Sequence, residues 1–218
     1  MAIYGTIPQF GYEAPSEQPN PQNTPTMSEL ADIPEWEDEY VDRVSDRLLH
    51  NFDLEKDYRV RGQEFTLYGR MVMESQKHFF HPSLNYANHS TTEHLFVQRR
   101  SAVTVDDLEH LVEFAHELAD EWIDANEEHY STDFTLAIVA PSISDSVQTF
   151  VQNFRDRTLL KYGFYGHYEV NLVVGAPETE ELVASKNADV RKAFQTWEPL
   201  ETESEPGLLG LIARRLQI

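Results

Sequence analysis

Two nearly unbroken apolar runs, Phe134–Ala140 and Val170–Val174, constrain the fold of this chain more than any other feature. Each has the length of a strand, and each is closed by breakers: Pro141 after the first, Gly175 and Pro177 after the second. A strand that is apolar on both sides must be covered on both sides, which is the situation of a central strand in an α/β sheet. Between the runs, Ser144 stands where it can cap a helix whose apolar side is Val147, Phe150, Val151 and Phe154. Parallel neighbours need a crossover of about a dozen residues or more, usually helical, so the pattern predicts a parallel pair.

Other segments fit around that centre. Thr104 is a fitting N-cap and Asp106 and Asp107 suit the positive start of a helix over 105–125. Its apolar face runs from Val105 and Leu108 through Leu118 to Trp122 and Ile123. Trp36, Tyr40, Val44 and Leu48 recur every four residues and predict an amphipathic helix over 35–50. Phe65, Leu67, Met71 and Met73 alternate as one face of a strand broken at Gly69, paired through a turn at Gly62 with a short Tyr58–Arg61 segment. Residues 78–92 read as a polar loop, Leu95–Gln98 as a short strand, 179–195 as a weaker helix and 207–216 as an apolar helix. The expectation is an α/β fold, a small mixed β-sheet of about five strands flanked by helices, in a single domain over 34–218. Residues 1–33 read as a disordered tail: five of the eleven prolines (Pro8, Pro15, Pro19, Pro21, Pro25) fall there among Gln, Asn, Ser and Thr. Two readings of it stay open, a flexible arm or an upstream extension before an alternative start at Met27.

Charge narrows the setting. There are 38 acidic against 17 basic side chains, a formal charge of −21, and Arg outnumbers Lys by 12 to 5. Such self-repulsion weakens a compact state in dilute buffer. In molar salt the screening length falls to about 3 Å and the penalty fades, so the composition predicts a protein adapted to a salt-rich cytoplasm. Unspecific nucleic-acid binding rests on counterion release and suits neither this charge nor that salt. The pairs Arg59 with Arg61, Arg99 with Arg100, and Arg155 with Arg157 are expected to serve neighbouring carboxylates. The chain has no cysteine, so thiolate metal sites and cysteine nucleophiles are excluded. No apolar stretch approaches a membrane span, and no secretory signal opens the sequence; a cytoplasmic location is the expectation.

Few residues form a chemical pattern. His78, His81, His89 and His94 fall close together, and neutral imidazoles from one loop can gather a transition metal. The spacing lacks the cysteines or helical His-x-x-x-His of specific sites, so no cofactor is expected beyond a divalent metal there. His116, Glu117 and Asp120 make His-Glu-x-x-Asp, whose second ligand is of the wrong type for a zinc-protease helix; His116 reads as a helix-surface histidine. The segment Lys161–Glu169 combines two glycines with four aromatics. Lys161, Tyr162, Tyr165 and His167 are its ligand-binding candidates, and an aromatic plug over the sheet edge is the plainer alternative. No phosphate-loop or dinucleotide fingerprint occurs. Ala140–Ser144 lacks the glycines of a nucleophile elbow, and helix capping by Ser144 accounts for it.

Four stretches carry a resemblance: Trp36–Tyr40, Lys77–Pro82, Ala119–Trp122 and Arg155–Glu169. On them the tract from Trp36 to Pro177 resembles a family of acidic haloarchaeal proteins of unknown function, which supports salt adaptation and supplies no functional residues. The order helix, hairpin, strand, helix, strand, helix is also loosely similar to restriction-endonuclease-like nucleases. That similarity implies metal-binding carboxylates and a Glu-x-Lys, for which Glu74, Lys77 and Glu93 are the nearest pieces. The pattern departs at its lysine: Glu74 and Lys77 are spaced Glu-x-x-Lys, and Glu93 is followed two residues on by Leu95. The reading is therefore a non-enzymatic interaction or accessory domain, contacting a protein partner through helix 207–216 or loop 161–169. A degenerate metal-dependent hydrolase or nuclease is the alternative.

Overall fold

A computed structural model describes residues 34–76 and 88–198. Their elements run α1 (Glu39–Leu48), β1 (Asp53–Val60), β2 (Gln63–Gln76), β3 (Asn88–Arg99), α2 (Val105–Trp122), β4 (His129–Val139), α3 (Asp145–Asn153), β5 (Asp156–Leu159), β6 (His167–Ala176), β7 (Glu181–Ala184) and a single turn, α4 (Arg191–Phe194). The fold is mixed α/β. Strands β1, β2 and β3 form an antiparallel meander, and β3, β4 and β6 run parallel at the centre. Both β5 and β7 pair antiparallel with β6, giving the order β1-β2-β3-β4-β6-β5 with β7 also on β6.

The strongest sequence signals become elements. Ser144 caps α3 through the Val147 amide. Thr104 caps α2 and Asp107 returns the bond, a reciprocal capping box that satisfies two otherwise orphaned amides. Asp38 caps α1, accepting from the Tyr40 and Val41 amides.

Four expectations need correction. The sheet has seven strands rather than about five; the additions are β5 and β7, each four residues long, too short to show a period. Residues 88–92 are strand rather than loop, because Ser90, Thr91 and Thr92 pair with Glu74, Met73 and Val72. The helix expected over 179–195 is instead β7 followed by α4. Gly69 does not break β2; its missing side chain makes room for Phe52 and Leu54, whose carbons lie 3.1 Å from where a Cβ would stand. The tail 1–33, the helix expected over 207–216 and residues 77–87 lie outside the described residues.

Two cores sandwich the sheet. On one side α2 and α3 bring Leu108, Leu111, Phe114, Ala115, Leu118, Val147 and Val151 onto Phe96, Phe134, Leu136, Ile138, Leu172 and Val174. On the other, Trp36, Tyr40, Val41, Val44 and Leu48 meet Leu67, Leu95, Val97, Ala137, Val139 and Val173, joined by Phe194. Phe65 packs with the α2 side, although the alternation of β2 groups it with Leu67. Each fully buried Leu, Val or Phe contributes roughly 1.5–3 kcal/mol relative to exposure. Among the described residues no helix is long and apolar enough to cross a membrane.

Candidate functional site

Polar residues invade this sheet at one end. They cluster where the parallel strands begin, whereas open α/β sheets usually bind ligands where such strands end. A cleft of about 480 Å³ opens there on the α2 side, a size in the range of small-molecule sites. Its floor is Thr92 and His94 of β3 and Thr132 of β4; Arg70 of β2 stands on one side, and Trp122, Asp124, Asn126 and Glu128 on the other.

A one-residue irregularity shapes the cleft. His129 pairs with Ser90 and Ser131 with Thr91, so Tyr130 is the extra residue of a β-bulge. The bulge resets the alternation and brings His129 beside Thr132, with Nε2 2.9 Å from the Thr132 hydroxyl. Its Nδ1 lies 2.7 Å from the Tyr165 carbonyl. A carbonyl only accepts, so Nδ1 carries the proton, and in the neutral ring the Thr132 hydroxyl donates to Nε2.

His94 is the buried polar group of the cleft, 8% exposed. Its ring stacks on Phe134 at 5.2 Å and meets the edge of Trp122 at 5.0 Å. The Tyr68 hydroxyl is 2.8 Å from Nδ1. Burial holds the ring neutral, its pKa lowered to about 4, first by desolvation and then by the nearby Arg70. Burial likewise pushes the Tyr68 phenol upward, so that hydroxyl keeps its proton. In the tautomer where the phenol donates to Nδ1, the His94 proton sits on Nε2.

The opposite face of the same strands carries acids. Cross-strand register aligns Glu93 with Asp133 and Asp133 with Glu169, one carboxylate from each of β3, β4 and β6. These three are the buried acids among the described residues. Glu93 accepts from the Thr135 hydroxyl, and Glu169 accepts from Asn187 at 2.9 Å. Arg157 reaches Glu169 at 3.6 Å and His167 Nε2 reaches it at 3.7 Å. Other arginines serve the surface acids as expected, Arg59 pairing Glu64, Arg61 bridging Glu117 and Glu121, Arg99 pairing Asp38 and Arg100 pairing Asp107; Arg155 departs from that expectation and donates to the carbonyls of Gln152 and Phe154.

The aromatic segment is the turn of the β5–β6 hairpin, not a helix-to-strand connection. Lys161 and Tyr162 both adopt the left-handed conformation (φ 47° and 60°), followed by Gly163 at 90°. That backbone throws side chains outward: Tyr162 is 95% exposed and Phe164 84%, so they plug nothing. Tyr165 is half-buried and His167 buried. His116 also departs from expectation. It bridges α2 to the hairpin, with Nδ1 2.9 Å from the Tyr168 hydroxyl and Nε2 2.9 Å from Asp156.

The candidate residues therefore scatter. Glu93 and His94, neighbours in sequence, lie on opposite faces, Glu93 with Asp133 and His94 in the cleft. Residue 74 stands opposite Ser90 and residue 89 opposite Ser75 in the β2–β3 ladder; Lys77, His78 and His81 lie outside the described residues. Positions 74 and 93 are not ladder partners, because Glu93 pairs with Met71, three residues before 74. Among the described residues no group of three or more His, Asp or Glu could hold a metal ion. Sequence reasoning missed Arg70, Trp122, His129 and Thr132. The available signal was the polar run His129–Asp133 leading directly into a buried strand.

A mixed sheet covered by α2 and α3 on one face and by α1 and α4 on the other, with a polar cleft at the start of its parallel strands, defines a three-layer α/β sandwich. The family model described as a domain of unknown function, DUF8052, matches residues 37–196, and the chain belongs to that family. No curated protein and no solved structure matches it.

Proposed function

We propose that this chain is a non-enzymatic interaction domain of a salt-rich, haloarchaeal cytoplasm, meeting its protein partner through the tip of the β5–β6 hairpin. The observation that carries the reading is the exposure of Leu159, Tyr162 and Phe164, at 59%, 95% and 84%. Water-facing aromatics are a cost to a solitary domain, and burying each on a partner returns roughly 1.5–3 kcal/mol. Tyr and Phe are typical anchors of protein contacts.

The tip is also cationic on an acidic protein. Lys161, within the turn itself, is exposed and forms no ion pair among the described residues. The matching surface is an apolar recess rimmed by carboxylates. The acid coat supports the salt-rich setting, since every acid whose burial is described, other than Glu93, Asp133 and Glu169, has access to solvent.

The test uses the full chain as bait in multimolar KCl, wild type beside the double variant Tyr162→Ser, Phe164→Ser. A protein held by the wild type and released by the variant, with unchanged melting, is the expected result. Equal capture by both, or by neither, overturns the reading. The salt setting has its own check: melting temperature should rise from dilute buffer to multimolar KCl, and greater stability at low salt would refute it.

A further inference from the structure

The cleft beside His94 is separate from the hairpin tip and has a polarity of its own. Among the described residues Arg70 has no hydrogen-bond or ion-pair partner, a condition that it shares with Arg191 alone of the described arginines. In a chain with 38 acids that is an unusual vacancy. Directly opposite Arg70 in the β2–β3 ladder stands His94, more than nine-tenths buried, whose Nδ1 is taken by Tyr68 and whose Nε2 has no hydrogen-bond partner among the described residues. In the tautomer where Tyr68 donates to Nδ1, the β2–β3 side thus offers a guanidinium fork and one imidazole N–H, a donor set suited to an oxyanion.

The β4 side is the reverse. Thr132 spends its proton on His129 in the neutral ring, so its oxygen faces the cleft as an acceptor. Asp124 and Glu128 line the same wall, and among the described residues neither forms an ion pair and Asp124 accepts only from Asn126. Trp122 covers the space between the two poles, and a ring face there attracts a cation as well as an alkyl chain. Neighbouring strands lie about 4.8 Å apart, so β2 and β4 are separated by roughly 10 Å, a distance shortened by side chains reaching in from both ends.

We propose that this cleft binds a small zwitterion, its carboxylate held by Arg70 and the His94 Nε2–H and its ammonium group by Asp124, Glu128 and the Thr132 oxygen. A simple anion would meet the acids of the far wall, and a simple amine would meet Arg70. Only a molecule carrying both charges, separated by a short chain, satisfies both sides.

The test is an NMR titration of the Trp122 indole N–H, assigned by its loss in Trp122→Phe, on the full chain in multimolar KCl. The ligands are glycine, 4-aminobutanoate and 6-aminohexanoate, with butanoate and butylamine as the separated halves. At least one zwitterion should give a saturable shift with an affinity at least tenfold above either half. Arg70→Gln, an exposed position whose loss leaves the core intact, should weaken it tenfold or more. The Tyr162→Ser, Phe164→Ser variant should bind it as the wild type does, which separates this site from the partner surface. Butanoate or butylamine binding as tightly as the best zwitterion, no saturable shift with any of them, or unchanged affinity in Arg70→Gln would each overturn the proposal.

Discussion

The two faces of β3 and β4 at their starting end solve the same problem in opposite ways. Glu93 and His94 are adjacent in the chain, as are Thr132 and Asp133, and each pair is divided between the faces. On the α1 face the polar groups are carboxylates closed in among Thr135, Asn187, His167 and Arg157. On the α2 face the groups that the strands themselves supply, Arg70, Thr92, His94 and Thr132, are neutral or cationic and open to a cleft whose far wall brings Asp124 and Glu128. Buried charge is tolerated where hydrogen bonds and ions surround it, whereas a buried group without such company is held neutral. One strand sequence thus yields a closed electrostatic row and an open binding surface, because alternation sends every second residue to the other side.

The largest expected effect tests what keeps the faces distinct. Gly166 has φ +73°, and a Cβ there would overlap the backbone carbonyl of Tyr130, the bulge residue that puts His129 and Ser131 on their respective sides. Gly166→Ala combines an unfavourable left-handed alanine with a backbone clash, for a loss of about 3 kcal/mol or more. Denaturant titration in KCl measures it, and the His129 signals should move with it. A loss below about 1 kcal/mol would mean that the bulge yields freely and the division of faces is not fixed by this contact.

The second effect is specific to the cleft face. An unfolded chain protonates a histidine near pH 6.5, while the fold keeps His94 neutral down to about 4. Between those values the unfolded state binds more protons, so stability falls as pH drops from 6.5 towards 4 and is level with respect to this ring above 6.5. The full contribution is roughly 3 kcal/mol, at 1.36 kcal/mol per unit. His94→Gln should flatten the slope of stability against pH in that window by up to one proton, whatever its level. A direct NMR titration of the wild-type ring should show no change above pH 5; protonation near 6.5 would mean that the cleft wall is wet and His94 is not the donor described above.

Much of the frame was legible in the residues. The caps at Thr104 and Ser144 and the runs at 134–140 and 170–174 announced two helices and two central strands, because each signal is local and strong. The hairpin at Gly62 was equally plain. What escaped notice depends on neighbours. Strands β5 and β7 exist because β6 offers a free side, and nothing within four residues reveals that. Polar Ser90–Thr92 reads as loop until β2 and β4 are seen to pair with it. The site was harder still. Glu93 and His94 were natural members of two chemical patterns, but which face each takes follows from register, and the bulge at Tyr130 leaves no trace in composition.

The smallest expected effect falls on the acid face and decides what holds it together. Arg157 is the nearest described cation to Glu169, yet its side chain is 40% exposed and the approach is 3.6 Å. Glu169 also receives the Asn187 amide at 2.9 Å. An exposed, loosely aligned pair contributes up to about 1 kcal/mol and weakens in salt. Arg157→Gln should therefore lower the melting temperature by only about 2–4 °C, and by less in multimolar KCl than in dilute buffer. A salt-insensitive loss of about 3–5 kcal/mol is the signature of a buried charge stripped of its partner. In that case the row from Glu93 to Glu169 would rest on one guanidinium rather than on the hydrogen bonds around it, and the contrast with the cleft face would become one of charge pairing rather than of enclosure.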